Sequence, residues 1–226
     1  MEGTGADLSP KMETRLVVML THNDRTLENS HELFESCADL AVDYWGFKDV
    51  GLPHSEMKRL IGAMKAAGKT TFLEVVSYKE EECMAGARLA VDFGFDYLMG
   101  TIFYEPVWEF IRQHGVKYLP FVGDVHGSPS ILEGDIDSII LQGKQLEQKG
   151  VDGFDLLAYR HVSAPEELAR RFTREISVPV VIAGSINSVE RIALMEEMGV
   201  WGFTIGSALV DAEFAAGSFR DNLAFV

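Results

Sequence analysis

The stretch VPVVIAGSINSVERIALMEEMGVWGFTIGSALV, residues 178–210, contains two short apolar runs separated by an amphipathic segment. The first run breaks into Gly184-Ser185, and the second breaks into Gly206-Ser207. The segment between them has the polar start and the closing glycine of a helix. Apolar runs on both sides of a helix are typical of parallel strands that are buried on both faces. The stretch therefore predicts a strand–helix–strand unit with a Gly-Ser corner after each strand.

The same alternation extends through the rest of the chain. Eight runs rich in Val, Ile, Leu and Phe predict strands at residues 15–20, 40–47, 70–76, 95–100, 116–122, 153–158, 178–183 and 200–205. Segments with helix-type ends predict helices at residues 56–67, 80–93, 135–149, 165–175 and 188–198. Eight such units predict an α/β protein, a (β/α)8 TIM barrel that forms a single domain over residues 15–226. An open, doubly wound sheet is the alternative that this pattern leaves open.

Length and charge narrow the range of functions. The 226 residues suffice for one large core and for a lean barrel, a fold that typically takes about 250 residues. The formal net charge is −15, with 35 acidic and 20 basic side chains. Such a surface repels nucleic-acid phosphates and anionic lipids, so we expect neither nucleic acid nor a membrane as the main partner. A pocket for an anion must then be built from backbone N–H groups and a few cations.

The cysteines and the amino terminus favour a cytoplasmic protein. Cys37 and Cys83 are the two cysteines of the chain, and we expect both to be buried, reduced thiols. Residues 1–14 form a polar leader without the apolar stretch of a signal peptide. No apolar run reaches the roughly 18 residues of a membrane span. Exposed faces of barrel helices often pair, so a homodimer is compatible with the sequence.

The two Gly-Ser corners predict a phosphate site. In barrels of this type a phosphate often binds beyond strands seven and eight, which these corners follow. Glycine lets the backbone approach an anion closely with its N–H groups pointing inward, and serine hydroxyls add donors. The alternative is that the glycines only permit tight turns. Two corners at the ends of neighbouring strands favour phosphate contacts from Gly184, Ser185, Gly206 and Ser207.

Residues 178–210 resemble the closing third of the ribulose-phosphate-binding barrels. This superfamily includes phosphoribosyl isomerases, ribulose-phosphate epimerases and several aldolases. The resemblance implies a (β/α)8 barrel, a small phosphorylated metabolite as ligand and phosphate contacts from the four corner residues. Many members have two glycines where this chain has Gly184-Ser185, so a backbone contact would become a hydroxyl contact.

Lys48 and Glu74 are the strongest catalytic candidates. Lys48 ends predicted strand two, and Glu74 lies within the apolar predicted strand three. A buried lysine needs a partner or a task, and so does a carboxylate in an apolar strand. On neighbouring strands the two residues form either a structural ion pair or an acid–base couple. A surface salt bridge from Lys48 to Asp49 is the remaining alternative.

Polar residues after strands one and six add further candidates. His22, Asp24 and Arg25 follow strand one, and the simplest interpretation of Asp24 is a cap on the next helix. We predict His22 as catalytic and Arg25 as substrate-binding. Arg160 follows strand six, and its planar guanidinium suits a carboxylate or a phosphate of the substrate. His161 beside it is a candidate proton carrier.

Asp124 and His126 follow predicted strand five, as a catalytic and a substrate-binding candidate respectively. A metal site would draw on His22, Asp49, Glu74, Asp124 and His126. No HxH or HExxH spacing supports one, so we predict neither a metal nor another cofactor, with a divalent ion left as an alternative.

These candidates together predict an enzyme that acts on a small phosphorylated carbonyl compound by enolate-type proton transfer or C–C cleavage. The phosphate would anchor one end of the substrate, Lys48 would stabilise the enolate and Glu74 would move the proton. Isomerases, epimerases and lyases share this chemistry. One alternative is an aldolase acting on a 4-hydroxy-2-oxo acid through Lys48, because predicted strand six has no lysine for a Schiff base. Another is a non-catalytic sensor of a phosphorylated metabolite.

Overall fold

Eight parallel strands form one sheet in the computed structural model, which describes residues 14–226. The predicted leader, residues 1–14, lies outside the described residues except for its last position. In chain order the strands are β1 (Arg15–Met19), β2 (Tyr44–Lys48), β3 (Thr70–Ser77), β4 (Tyr97–Thr101), β5 (Lys117–Leu119), β6 (Phe154–Leu156), β7 (Val180–Ile182) and β8 (Gly202–Ile205). Their order in the sheet is β6-β7-β8-β1-β2-β3-β4-β5.

Backbone hydrogen bonds join the two edge strands of this sheet, β5 and β6. Asp152 N donates to Tyr118 O at 3.1 Å, and Asp155 N donates to Pro120 O at 3.2 Å. The sheet thus wraps round into a (β/α)8 barrel that forms a single domain, as predicted. The open, doubly wound sheet is wrong, because an open sheet leaves its edge strands far apart.

Helices cover the outside of the barrel. Within residues 14–226 they are α1 (Ser30–Cys37), α2 (His54–Ala66), α3 (Glu80–Phe93), α4 (Glu105–Gln113), α5 (Ile136–Lys149), α6 (Pro165–Glu175), α7 (Val189–Met198), α8 (Ser207–Val210) and α9 (Phe219–Phe225). The five helices predicted from the sequence are all present, and α3, α5 and α7 each end one residue before the predicted glycine. Cys37 and Cys83 are buried and unpaired, as predicted.

Two short antiparallel hairpins interrupt the alternation at the carboxyl end of the barrel. Hairpin A pairs Thr21–His22 with Arg25–Thr26 directly after β1. Hairpin B pairs Asp124–His126 with Ile131–Glu133 after β5. The sequence pattern did not predict either hairpin, and both change the direction of the polar residues that follow these strands.

Aromatic side chains pack together at the amino ends of the strands. The rings of Phe72 and Tyr97 are stacked with centroids 4.3 Å apart, and the ring of Tyr44 meets that of Trp201 edge-on at 5.7 Å. The guanidinium of Arg15 lies 4.8 Å from the Trp201 ring. Among the described residues, no helix has the length and apolar character needed to cross a membrane.

Candidate functional site

A cavity of about 260 Å³ opens at the carboxyl end of the barrel. Both Gly-Ser corners line it, as do Lys48, Glu74 and Arg160. The corners are neighbours because β7 and β8 pair in register, with Ile182 opposite Phe203. The residues predicted to hold a phosphate and the predicted catalytic pair thus face one common space.

The Gly184-Ser185 corner is shaped around Arg160. Gly184 has a φ of +80° and Ser185 a φ of +61°, both in the left-handed region. A Cβ on Gly184 would lie 2.8 Å from Arg160 Nε, so only glycine leaves room for the arginine. Arg160 also donates from Nη1 to Ser130 O at 3.3 Å, while its buried Nε has no hydrogen-bond partner among the described residues. The guanidinium is therefore held against this corner of the cavity.

The Gly206-Ser207 corner packs against the end of β1. A Cβ on Gly206 would lie 2.6 Å from Thr21 Oγ1 and 3.1 Å from Thr21 O. Ser207 starts the short helix α8, and its Oγ accepts a hydrogen bond from Asn23 N at 3.4 Å. Glycine is required here because any side chain would push the corner away from hairpin A.

Lys48 and Glu74 lie opposite each other on neighbouring strands inside the barrel. The strands β2 and β3 pair in register at these two residues, and Lys48 Nζ lies 3.4 Å from Glu74 Oε1. Lys48 is only 6% exposed, and a second carboxylate, Asp24 Oδ1, accepts a hydrogen bond from its Nζ at 2.8 Å. The alternative prediction, a surface salt bridge from Lys48 to Asp49, is therefore wrong.

Asp24 reaches Lys48 because hairpin A is tied to the end of β2. Thr26 Oγ1 accepts from Lys48 N at 2.9 Å and donates to Lys48 O at 2.7 Å. The prediction that Asp24 caps a helix is wrong, since α1 begins only at Ser30 and its start carries no side-chain cap. The hairpin turn, in which Asp24 has a φ of +61°, directs its carboxylate into the cavity instead.

Opposing effects of burial and charge act on this ion pair. Burial disfavours the charged form of Lys48, but the charges of Glu74 and Asp24 outweigh burial and raise the pKa of Lys48 above its ordinary value. Burial likewise opposes ionisation of Asp24, yet the hydrogen bond and charge of Lys48, together with the charge of Arg160, hold the pKa of Asp24 below its ordinary value. Lys48 is therefore a firmly protonated ammonium group at neutral pH.

Asp155 is a functional candidate that the sequence reasoning missed. It lies on β6 and is completely buried (0% exposed), and neither carboxyl oxygen has a hydrogen-bond partner within residues 14–226. Its neighbour Phe154 packs outward on Phe172, so strand alternation directs Asp155 inward. Burial raises the pKa of Asp155 well above its ordinary value, and the charge of Glu74 adds to this rise against Lys48 and Arg160. The sequence offered one signal for it, an acidic residue within an otherwise apolar strand.

The remaining predicted site residues do not line the cavity. His22 Nε2 pairs with Asp211 Oδ1 at 2.9 Å at the mouth, and Arg25 is exposed on hairpin A. Asp124 and His126 are carried on hairpin B. Hairpin A places Thr21 and Asp24 in the cavity lining and leaves His22 and Arg25 outside it.

His161 has a structural environment. It is buried, its Nδ1 accepts from Ala164 N at 3.2 Å, and its Nε2 lies 2.9 Å from Gly134 O. With both ring nitrogens bonded in this way, the imidazole has no nitrogen left for a substrate. These bonds fasten hairpin B to the start of α6.

Three groups of metal-ligand type meet on hairpin B. Asp124, His126 and Glu133 each place one ligand atom within 4.8 Å of the others, and His126 Nε2 lies 3.3 Å from Glu133 Oε2. Asp124 and Glu133 are exposed, and exposed acidic groups commonly cluster without an ion. We assign no metal to this group.

Comparisons with known proteins give the fold alone. No family model matches the chain, and no curated protein matches its sequence. Among solved structures, orotidine 5'-phosphate decarboxylase from Pyrococcus horikoshii OT3 aligns with a TM-score of 0.66 at 12% identity, over 92% of this chain and 94% of that one. N-acetylmannosamine-6-phosphate 2-epimerase from Clostridium perfringens aligns with a TM-score of 0.63 at 11% identity, over 86% of each chain.

A third similar structure is not named as an enzyme. A glycerol uptake operon antiterminator-related protein from Thermotoga maritima MSB8 aligns with a TM-score of 0.56 at 18% identity, over 88% of this chain and 98% of that one. All three alignments extend over most of both chains. They confirm the (β/α)8 barrel fold that the resemblance implied.

Proposed function

We propose that this chain is an enzyme that acts on a small phosphorylated carbonyl compound, as an isomerase, an epimerase or a carbon–carbon lyase. One observation carries the proposal. The buried ion pair of Lys48 and Glu74 faces the same cavity as the two Gly-Ser corners after β7 and β8. A cavity of about 260 Å³ suits a small metabolite, since it is just below the roughly 300–1,000 Å³ of drug-sized ligand pockets.

The two corners bind the phosphate in this proposal. Glycine corners expose backbone N–H groups, and the hydroxyls of Ser185 and Ser207 add neutral donors. Arg160, held across Gly184, supplies the positive charge on the same side of the cavity. A planar guanidinium pairs well with phosphate oxygens. The substrate is thereby anchored with its carbonyl end toward Lys48 and Glu74.

Lys48 and Glu74 then carry out the proton transfer. The Glu74 carboxylate removes a proton from the carbon next to the substrate carbonyl, and the electron pair moves onto the carbonyl oxygen. The ammonium of Lys48 donates a hydrogen bond to that oxygen and stabilises its developing negative charge. In an isomerisation the proton returns to the former carbonyl carbon, while the proton of the neighbouring hydroxyl moves to the enolate oxygen, so the carbonyl shifts by one carbon. In an epimerisation a proton from solvent reaches the opposite face of the same carbon, and Glu74 releases its own proton to solvent.

The names of two structural neighbours, orotidine 5'-phosphate decarboxylase and N-acetylmannosamine-6-phosphate 2-epimerase, support a phosphorylated substrate. At 11–12% identity they share the fold with this chain, and their own substrates are not carried over. The proposed chemistry therefore rests on Lys48, Glu74 and the other residues that line the cavity.

Hydrogen exchange tests the proposal without knowledge of the product. The protein is incubated in D₂O with a panel of ketose and aldose phosphates, and deuterium at the carbon next to the carbonyl is followed by NMR. We expect exchange with at least one member of the panel. Glu74→Gln should slow it by about 100-fold or more, because the general base is lost. Asp124→Asn, which removes an exposed carboxylate outside the cavity, should exchange at the wild-type rate.

A second candidate function is a non-catalytic sensor of a phosphorylated metabolite. The similarity to an antiterminator-related protein favours it, because that name describes a regulator and not an enzyme. A sensor should bind phosphate compounds without exchanging their hydrogens. Binding without exchange across the panel, unchanged by Glu74→Gln, would replace the enzyme proposal with the sensor.

A further inference from the structure

Asp155 lies inside the barrel, behind the residues that line the cavity. Leu157, two residues further along the chain, belongs to the cavity lining, whereas Asp155 is completely buried and does not. Neither of its carboxyl oxygens has a hydrogen-bond partner among the described residues. A group in this position does not touch a ligand in the cavity, so any role that it has acts through its neighbours.

The charged side chains that act on Asp155 all line the cavity. They are Glu74, Lys48 and Arg160. Lys48 also contacts two carboxylates, Asp24 at 2.8 Å and Glu74 at 3.4 Å. The charge of Arg160 acts on Asp24 as well as on Asp155. These side chains therefore form one electrostatic cluster, in which two cations face three carboxyl groups.

A further carboxyl group, that of Asp49, borders this cluster. Burial raises the pKa of Asp49 to about 6, although a backbone hydrogen bond opposes that rise. The charges of Glu74 and Lys48 act on it in opposite directions. Asp49 is therefore mostly ionised above neutral pH. The two cations then already serve three ionised carboxylates without Asp155.

An additional negative charge on Asp155 has no cation left to offset it. An ionised carboxylate is costly to bury unless it is paired and hydrogen-bonded, and a carboxyl group without such partners keeps its proton instead. Burial accordingly raises the pKa of Asp155 well above its ordinary value, and the charge of Glu74 adds to this rise against Lys48 and Arg160. Geometry and charge thus agree on the neutral form.

We propose that Asp155 is a positioning residue, a neutral carboxylic acid whose bound proton leaves Lys48 and Arg160 to the cavity. This inference rests on the proposed function. An ionised Asp155 would need a cationic partner, and Lys48 and Arg160 are the cations that act on it. The Nε of Arg160 is buried without a hydrogen-bond partner among the described residues, so it is a donor that such a carboxylate would attract. Pairing of that kind would draw the guanidinium away from the Gly184 corner.

Infrared spectroscopy of the full chain measures the charge of Asp155 directly. A protonated carboxyl group has a C=O stretching band that an ionised one lacks, and this band shifts in D₂O. At about pH 8 carboxyl groups with ordinary pKa values near 4 are ionised, and so is Asp49 with its pKa of about 6. We expect the wild-type protein to keep such a band at this pH and Asp155→Asn to lack it. Asp49→Asn is the matched control and should keep the band.

Hydrogen exchange measures the consequence for the cavity. Asp155 is neutral below its raised pKa and ionised above it, so any loss of activity lies on the alkaline side. The exchange rate, corrected for exchange without protein, is followed beside the infrared band up to about pH 10, where lysine is still mostly protonated. We expect a constant rate while the band persists and a fall of about tenfold per pH unit once it is lost. Asp155→Asn should exchange within about threefold of the wild-type rate at neutral pH and show no alkaline fall.

The outcomes separate this inference from the proposed function. Absence of the band at about pH 8 overturns the inference, whatever reaction the protein catalyses. Loss of the band without loss of exchange also overturns it, and so does a loss of about 100-fold in Asp155→Asn at neutral pH, which would mean that Asp155 works as a charged group. A band without exchange of any compound in the panel removes the proposed function and leaves Asp155 as a neutral acid. Asp155→Leu, which cannot ionise either, replaces Asp155→Asn where that variant fails to fold, and the band of Asp49→Asn decides where both fail.

Discussion

Lys48 Nζ lies 3.4 Å from Glu74 Oε1, and the two residues are paired in register on the neighbouring strands β2 and β3. This contact sets a charged pair at the carboxyl end of a barrel whose amino end is filled by aromatic rings. It lies beside the Gly-Ser corners, so one cavity brings together a carboxylate, an ammonium group and two glycine corners.

Loss of the Lys48 charge should destabilise the fold. Lys48→Met leaves Asp24 and Glu74 facing each other without their shared cation, and breaking a buried pair in this way costs about 3 kcal/mol. The free energy of unfolding is measured by urea titration. Lys144→Met is the matched control, because Lys144 pairs with Glu175 on the partly exposed surface and should cost under about 1 kcal/mol. Equal stability of the two variants would contradict the buried pair.

Asp155 should make the protein less stable as pH rises. Its pKa is raised in the folded state, so the folded chain binds more protons than the unfolded chain between the two pKa values. Its favourable contribution is therefore fully present below the ordinary pKa of about 3.9 and is lost as pH rises toward the folded pKa. Asp155→Asn cannot ionise, so its stability relative to wild type should increase with pH.

Urea titrations of Asp155→Asn and wild type, carried out at several values from about pH 4 to about pH 8, measure that difference. A difference between Asp155→Asn and wild type that stays constant over this range would show that Asp155 keeps an ordinary pKa.

Gly206 should be intolerant of a side chain because of Thr21. In Gly206→Ala the new Cβ would meet Thr21 Oγ1 at 2.6 Å, and such overpacking costs about 1–3 kcal/mol. Thr21→Ala removes that oxygen, so the double variant should recover part of the loss in a double-mutant cycle. Gly62→Ala, in α2 with nothing within 4 Å, should instead gain about 0.5–1 kcal/mol. Strict additivity of the two substitutions would contradict the contact.

Inorganic phosphate should protect the protein against thermal unfolding. A ligand at about 100 times its Kd stabilises the folded state by about 2.7 kcal/mol. Ser207→Asp places a carboxylate at the corner and should abolish the rise in Tm, and Arg160→Gln should reduce it. The control is Arg170→Gln, which removes a surface arginine paired with Glu197. Scans use chloride at equal ionic strength as the reference, and protection that persists in Ser207→Asp would rule out this corner.

The barrel itself could be predicted from the sequence because its signals are local. Near-continuous apolar runs identified all eight strands, although predicted strand two began four residues before Tyr44, where β2 starts. The Gly-Ser corners followed from their position at the ends of the last two strands. Lys48 and Glu74 could be placed together because residues at the ends of adjacent parallel strands meet at one edge of the sheet.

Other site residues could not be placed in this way. His22, Arg25, Asp124 and His126 also follow predicted strands, yet hairpins A and B carry them away from the cavity lining. The same turn brings Asp24 to Lys48, against the expectation of a helix cap. Loop direction depends on turns held by distant contacts, such as the bonds between Thr26 and Lys48, and no local periodicity encodes these.

The amino-acid sequence by itself determined the order of strands and helices, the two glycine corners and the strongly acidic surface, since each depends on residues close together in the chain. Only the tertiary structure decided which charges share one space. Residues from β2, β3, β6 and the loops meet there: the buried carboxyl of Asp155, Lys48 with its two carboxylates, and Arg160 beside Gly184. Electrostatic energy depends on distance in space and on burial, and closing the barrel is what sets both.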